Sequence, residues 1–167
     1  TNAIGKIYEY VTPIDGIKQG NYDPLIKLTP PSRTTLFAAS AGYKPTERTQ
    51  IETEWSLSNQ DQNLFSALDD QNNKGWAAHL KANHQFVSKW NWSLQGNARF
   101  IHQHFKPIER LYSIEFDRDW NVLTTTANQS LVSVGITAQP NENSTINYTA
   151  ERLEYTDSYQ GIRQNVT

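Results

Sequence analysis

Few side chains in this sequence could do chemistry, and they fall in three places. The segment 58–75, SNQDQNLFSALDDQNNKG, gathers Asp61, Asp69, Asp70, Asn72 and Asn73, an oxygen-rich set suited to Ca²⁺. Its spacing fails the calcium-loop pattern. A loop begun at Asp70 puts Lys74 at the fifth position and Lys81 at the twelfth, where an oxygen and a bidentate Glu are required. The segment reads instead as a polar surface loop pinned by Leu64 and Phe65. His102 and His104 project from one side of a strand, but a metal centre needs a third ligand and His84 lies too far along the chain to supply it. Glu115, Asp117 and Asp119 alternate as an acidic stripe that could filter cations. Hydrolysis would need a second carboxylate across a cleft, and Glu52 or Glu54 are the candidates, with Glu54 and Asp117 the pair an envelope hydrolase would use. No Ser/His/Asp order, phosphate-cradling glycine loop or nucleophile elbow is present. There is no Cys, which removes thiolate chemistry and Cys-based zinc sites. No catalytic residue, metal or cofactor is assigned, and the chain reads as a non-enzyme.

The elements that carry these groups are strands. In Trp76–Phe105, Trp76, Ala78, Leu80, Ala82, His84 and Phe86 share one parity, with Ala77, His79, Lys81, Asn83 and Gln85 on the other. That is the period-2 signature of a strand with one apolar and one polar face. Trp90, Trp92, Leu94, Gly96, Ala98 and Phe100 repeat it, so a turn at Val87-Ser88-Lys89 makes an antiparallel hairpin. Both apolar sets are even-numbered, so the register must place Phe86 against Trp92 and Ala82 against Gly96. In the same register Trp76 opposes His102.

Alternation recurs along the chain. It is found in Thr34–Tyr43, Thr49–Asn59, Leu111–Val122, Gln129–Ala138 and Thr145–Tyr155, with turns at 44–48, 106–110 and 140–144 and a last turn near 157–161. Leu111–Val122 puts Tyr112, Ile114, Phe116, Trp120 and Val122 on one side. Residues 1–33 form an irregular lead-in with a short strand at Lys6–Val11, closed by Pro30-Pro31. Residues 34–167 form an antiparallel up-and-down meander of seven to eight strands. No helical stripe extends beyond one turn.

Composition narrows the surroundings. Hydrophobic residues are 37% of the chain, and Asn, Gln, Ser and Thr replace most of the usual charge. A net charge of −2 without a basic run excludes a nucleic-acid footprint. No run approaches a spanning helix, so membrane insertion would have to be by strands. A soluble sandwich would expose mainly Lys, Glu and Asp on its polar faces. Here the polar parity is mostly Ser, Asn, Gln and Thr, which suits the hydrated lumen of an outer-membrane barrel. In that reading Glu52, Glu54, Lys81, Arg99, Glu115, Asp117 and Asp119 line the lumen. Lys81 and His79 face Glu52 or Glu54, and Arg99 faces Asp117 or Glu115. Tyr43, Trp55, Trp76, Trp90, Trp92, Phe100 and Trp120 face lipid or form its interfacial girdles. Arg118 and Arg152 fall on the apolar parity and oppose the reading, since a mid-bilayer Arg costs roughly 2–4 kcal/mol.

Short segments also resemble a family. Gly20-Asn21-Tyr22-Asp23-Pro24, Glu52 to Asn59 (ETEWSLSN), Asp61 to Ser66 (DQNLFS), Asn72 to Ala77 (NNKGWA) and Glu115 to Trp120 (EFDRDW) look like pieces of large outer-membrane β-barrel proteins of Bacteroidetes-type bacteria. The resemblance covers about Gly20 to Trp120. It implies a bacterial outer-membrane location and a structural, transport or secretion-associated role. It also implies that the partners are membrane lipid, further strands of a longer chain, or other envelope proteins, and it brings no catalytic residue. The alternative expectation is a secreted or cell-surface β-sandwich that binds carbohydrate or a protein.

Overall fold

The computed structural model describes residues 9–20, 29–68, 70–123 and 126–167. Their architecture is all-β. One seven-stranded antiparallel sheet runs in chain order through β1 (Arg33–Thr46), β2 (Thr49–Asp61), β3 (Lys74–Phe86), β4 (Asn91–Ile101), β5 (Gln129–Asn141), β6 (Ser144–Tyr155) and β7 (Tyr159–Val166). Each strand pairs only with its sequence neighbours, so β1 and β7 are the edges among the described residues. Among the described residues helix is confined to one turn, α1 (Phe116–Asp119), and a 3-10 turn at Asp70–Asn72.

Periodicity fixes the register, because a slip by one residue would turn every side chain to the opposite face. Phe86 pairs with Trp92 and Ala82 with Gly96, as parity requires. His102 N donates to Trp76 O at 2.9 Å one step beyond the last strand pair. The apolar parity stays in phase across the sheet. Leu57 lies opposite Trp76, Leu80 opposite Ala98, Leu94 opposite Ile136, and Ile136 opposite Tyr148.

The strands outrun the predicted turns. Pro45 falls within β1 and Pro140 within β5, each beside a register shift, where a residue without an N–H costs no regular ladder bond. The connections at one end of the sheet are therefore short: 47–48, 87–90 and 142–143. At the other end they are 62–73, 102–128 and 156–158. We call these the turn end and the loop end.

The largest departure from expectation is at 111–122, which is not a strand. Residues 102–123 leave β4 and lie across the polar face of the sheet, carrying α1. Phe105 is buried over Gly75, where any Cβ would collide with the His104–Phe105 backbone. Asn121 follows α1 in the left-handed region (φ 51°), a conformation Asn tolerates at a helix C-terminus. The turn expected near 157–161 is confined to 156–158, and Tyr159–Val166 form a seventh strand, β7. Of the expected strand at Lys6–Val11, residues 6–8 lie outside the described residues and 9–11 are irregular.

Gly75→Ala should push the 104–105 backbone off the sheet and cost about 1–3 kcal/mol. The readouts are a lower denaturant midpoint and faster proteolysis within 102–128. Gly96→Ala meets open space and should leave both nearly unchanged.

Candidate functional site

The two faces of the sheet meet different fates. Seventeen large hydrophobic residues on the apolar face are open, from Ile136 at 36% to Ile162 at 69% exposure. Trp92 and Leu94 are each 37% exposed and Phe100 is 42%, so no second layer seals them among the described residues. The total accessible surface is 13614 Å², against about 8400 Å² for a compact protein of 19.1 kDa. Each half-exposed side chain forgoes on the order of 1 kcal/mol of burial, while a whole domain is stable by only roughly 5–15 kcal/mol. A face of this size has to be covered in the working protein.

Aromatic side chains on that face gather at its two ends. Phe37, Trp55, Trp76 and Phe100 stand toward the loop end, and Tyr43, Phe86 and Trp92 toward the turn end. Trp90 lies in the 87–90 turn with its ring stacked on Trp92, centroids 5.8 Å apart. Between them lie Ala78, Leu80, Ala82, Leu94, Gly96, Ala98, Val132 and Val134. From Trp76 to Phe86 the strand advances roughly 34 Å at about 3.4 Å per residue. At the ~40° tilt of barrel strands that projects to roughly 26 Å, close to the ~25 Å apolar band of outer-membrane barrels.

The polar face is layered. At the loop end it is small or apolar, with Gly75, Ala77, Ile101, Leu131 and Leu153, and residues 102–123 fill this floor. Trp120 is 5% exposed and packs with Val122 and the fully buried Leu153, flanked by Leu131, Tyr155 and Tyr159. Tyr159 Oη donates to Trp120 O, and the Arg163 guanidinium lies 4.7 Å from the Trp120 ring centroid. Lys106 N donates to Ser58 Oγ at 2.9 Å. Arg99 donates to Leu111 O at 3.2 Å and lies 5.0 Å from the Tyr112 ring centroid. The loop thus touches strands from β2 to β7. Beneath residues 105–111 a recess of about 430 Å³ remains over Ala77 and Ile101, edged by Glu54, His79 and Arg99.

The middle layer is charged. Glu52 pairs with Lys81 and Glu54 with His79, as the sequence suggested. His79 Nε2 is hydrogen-bonded to Asn97 Oδ1 at 2.7 Å, and Arg163 meets Glu151 at 2.6 Å. Arg99 is not opposite Asp117 or Glu115, because no strand exists there; its neighbours are His79 and Leu131. Glu115, Asp117 and Asp119 belong to α1 and its N-terminal flank rather than to a strand stripe. Glu54 on β2 and Asp117 share no hydrogen-bond or ion-pair partner among the described residues.

Trp120 is no girdle residue; it is the buried anchor of the inserted loop. Arg118 leaves the apolar face with the strand that would have held it there and pairs with Glu115 at 2.9 Å. Arg152 does stand on the apolar face, between Val132 and Ile162, and is neutralised by Glu154 at 2.8 Å. His102 stacks on Trp76, centroids 6.4 Å apart, and His104 packs beside it. No group of three or more metal-ligating side chains exists among the described residues. In the 58–75 segment, Asp61 Oδ1 accepts from Asn63 N and Asp70 Oδ1 from Asn73 Nδ2, and Asp69 lies outside the described residues. Leu64 and Phe65 are exposed rather than pinning. Gln60 N bonded to Asn73 O and Leu64 N bonded to Pro31 O hold that loop.

No helix is long and apolar enough to cross a membrane among the described residues, which says nothing of crossing by strands. Comparison with family models, curated proteins and solved structures returned no match.

Trp120→Ala should release the loop. A buried aromatic truncation costs about 3–5 kcal/mol, and cleavage within 105–123 should rise at least tenfold while strand circular dichroism is retained. Tyr112 Oη is buried without a partner, so Tyr112→Phe should be neutral or stabilising. Burial raises the Tyr112 phenol above its usual value, with Arg99 opposing the shift. The folded state therefore holds the phenolic proton more tightly than the unfolded chain. That stabilisation is whole below about pH 10 and is lost as pH climbs through the raised value. In strong alkali the wild-type loop should become protease-sensitive before that of Tyr112→Phe.

Proposed function

We propose that this chain forms part of the wall of a bacterial outer-membrane β-barrel, with lipid covering its apolar face and a structural, transport or secretion-associated role. The observation that carries the reading is the open apolar face, continuous over seven strands, while the chain's own long loop packs on the polar face. A soluble protein does the reverse, and its largest exposed apolar patch is typically about 300–600 Å². The two long connections, 62–73 and 102–128, both lie at one end, with only short turns at the other, which supports the same reading. So do the paired aromatic zones and the short segments that resemble Bacteroidetes-type barrel proteins.

The inserted loop then occupies the lumen from the loop end, as a plug or constriction held by Trp120, Phe105 and Arg99. Strand direction adds a constraint. β1 and β7 both run from the loop end to the turn end, so an antiparallel barrel closes only with an odd number of further strands between them. Those strands come from a longer chain of this protein or from another envelope protein. A secreted sandwich that binds carbohydrate or a protein partner would need a second sheet over Trp92, Leu94 and Phe100, and none lies there among the described residues.

The full-length protein should fractionate with outer membranes, need detergent for extraction, and migrate faster unheated than boiled on a denaturing gel. A water-soluble, monodisperse protein without heat-modifiable migration would reject the proposal.

A further inference from the structure

The apolar face carries a charged pair set among its apolar rows, and it stands on β6 beside β7. On β1–β4 the positions between the two aromatic zones of that face include no Asp, Glu, Lys or Arg. On β6 and β7 the same face presents Arg152, Glu154, Gln160 and Gln164. Arg152 lies between Val132 and Ile162 across the sheet, and Ala150 precedes it on its own side of the strand.

The pair is neutral but not satisfied. Arg152 Nη2 donates to Glu154 Oε2 at 2.8 Å, and Gln160, its amide oxygen turned toward the guanidinium, accepts from Nη2 at 2.7 Å and from Nε at 3.1 Å. Arg152 Nη1 and Glu154 Oε1 are left without a partner among the described residues, on side chains 55% and 44% exposed. Hydrocarbon offers neither a donor nor an acceptor, and an arginine on a lipid-facing position is destabilising. Acyl chains therefore suit the rest of this face and not its β6–β7 part.

The groups left open are complementary to each other. A positive donor and a negative acceptor stand two residues apart, so the patch fits a second copy of itself. Turned about an axis along the membrane normal, that copy brings its own Glu154 to the first Arg152 and its own Arg152 to the first Glu154. On a strand inclined ~40° that advances about 3.4 Å per residue, the two positions differ in height by roughly 5 Å. An arginine side chain spans that step. The Gln164 amide, both donor and acceptor, is self-complementary as well.

We propose that the β6–β7 part of the apolar face is a two-fold interface with a second copy of this chain, closed by reciprocal Arg152–Glu154 pairs. This inference rests on the barrel reading.

The test uses the full-length protein in mild detergent, first shown to be heat-modifiable, with mass measured by analytical ultracentrifugation. The wild type should be a dimer. Arg152→Glu alone and Glu154→Arg alone should each weaken dimerisation at least tenfold while heat-modifiable migration is retained. Mixed with each other, the two variants should pair at near wild-type strength, because one copy then presents two carboxylates and the other two guanidinium groups. A role confined to one chain would not be repaired by mixing. Should either reversal lose heat-modifiable migration, Arg152→Gln with Glu154→Gln removes both charges at nearly constant size and should give the same weakening. A heat-modifiable wild type that stays monomeric or joins only a different envelope protein would overturn the interface. So would dimers that the folded variants leave intact, or folded reversals that mixing does not restore. Absence of heat-modifiable migration in the wild type would instead overturn the barrel reading beneath it.

Discussion

A single antiparallel sheet has two faces and no interior, so whatever covers those faces decides whether it can exist. In this protein the backbone ladder satisfies the strands' polar groups, but it cannot remove Trp55, Trp76, Trp92, Phe100 and their neighbours from water. The forgone burial on that face is comparable with the net stability of an entire domain. In the proposed barrel, hydrocarbon would resolve the problem for one face. The other face, lined by Ser, Asn, Gln and charges of both signs, needs water or a polar filling, and residues 102–123 supply part of that filling.

The inserted loop shows how the polar face is adapted to it. Gly75 and Ala77 keep the sheet low where Phe105 arrives, and Leu131 and Leu153 make an apolar floor where Trp120 and Val122 land. Arg99 and Arg163 then lie against Tyr112 and Trp120, placing cations on ring faces where the electrostatics favour them. Further from the loop the same face turns charged and then neutral. The layering gives the polar face three chemically distinct zones along one direction.

Much of the sheet was legible in the sequence because period-2 alternation ties face to residue parity. The hairpin register at Phe86 and Trp92, the Glu52–Lys81 and Glu54–His79 pairings, and the Trp76–His102 juxtaposition all follow from that rule. The loop did not, for a physical reason. Tyr112, Phe116 and Trp120 are spaced by four, and a spacing of four satisfies both the strand period and the helical one. The rings of Tyr112 and Phe116 stack with centroids 4.0 Å apart, and Phe116 and Trp120 follow at 6.4 Å. The signals that favoured a helical turn were Glu115 and Arg118 three apart, now an ion pair, and Arg118 itself on the wrong parity for a lipid-facing strand. The layering was also hidden, since parity assigns a residue to a face but not to a height along it.

The most direct test of the two-solvent account uses the absence of native cysteine. Single cysteines placed successively from Trp92 to Phe100 in the full-length protein, spin-labelled in lipid vesicles, report accessibility to apolar oxygen and to a water-soluble nickel chelate. The account predicts alternation, with oxygen favoured at 92, 94, 96, 98 and 100 and nickel favoured at 93, 95, 97 and 99. Even-numbered positions shielded from both reagents, or reached by nickel as freely as their neighbours, would contradict it.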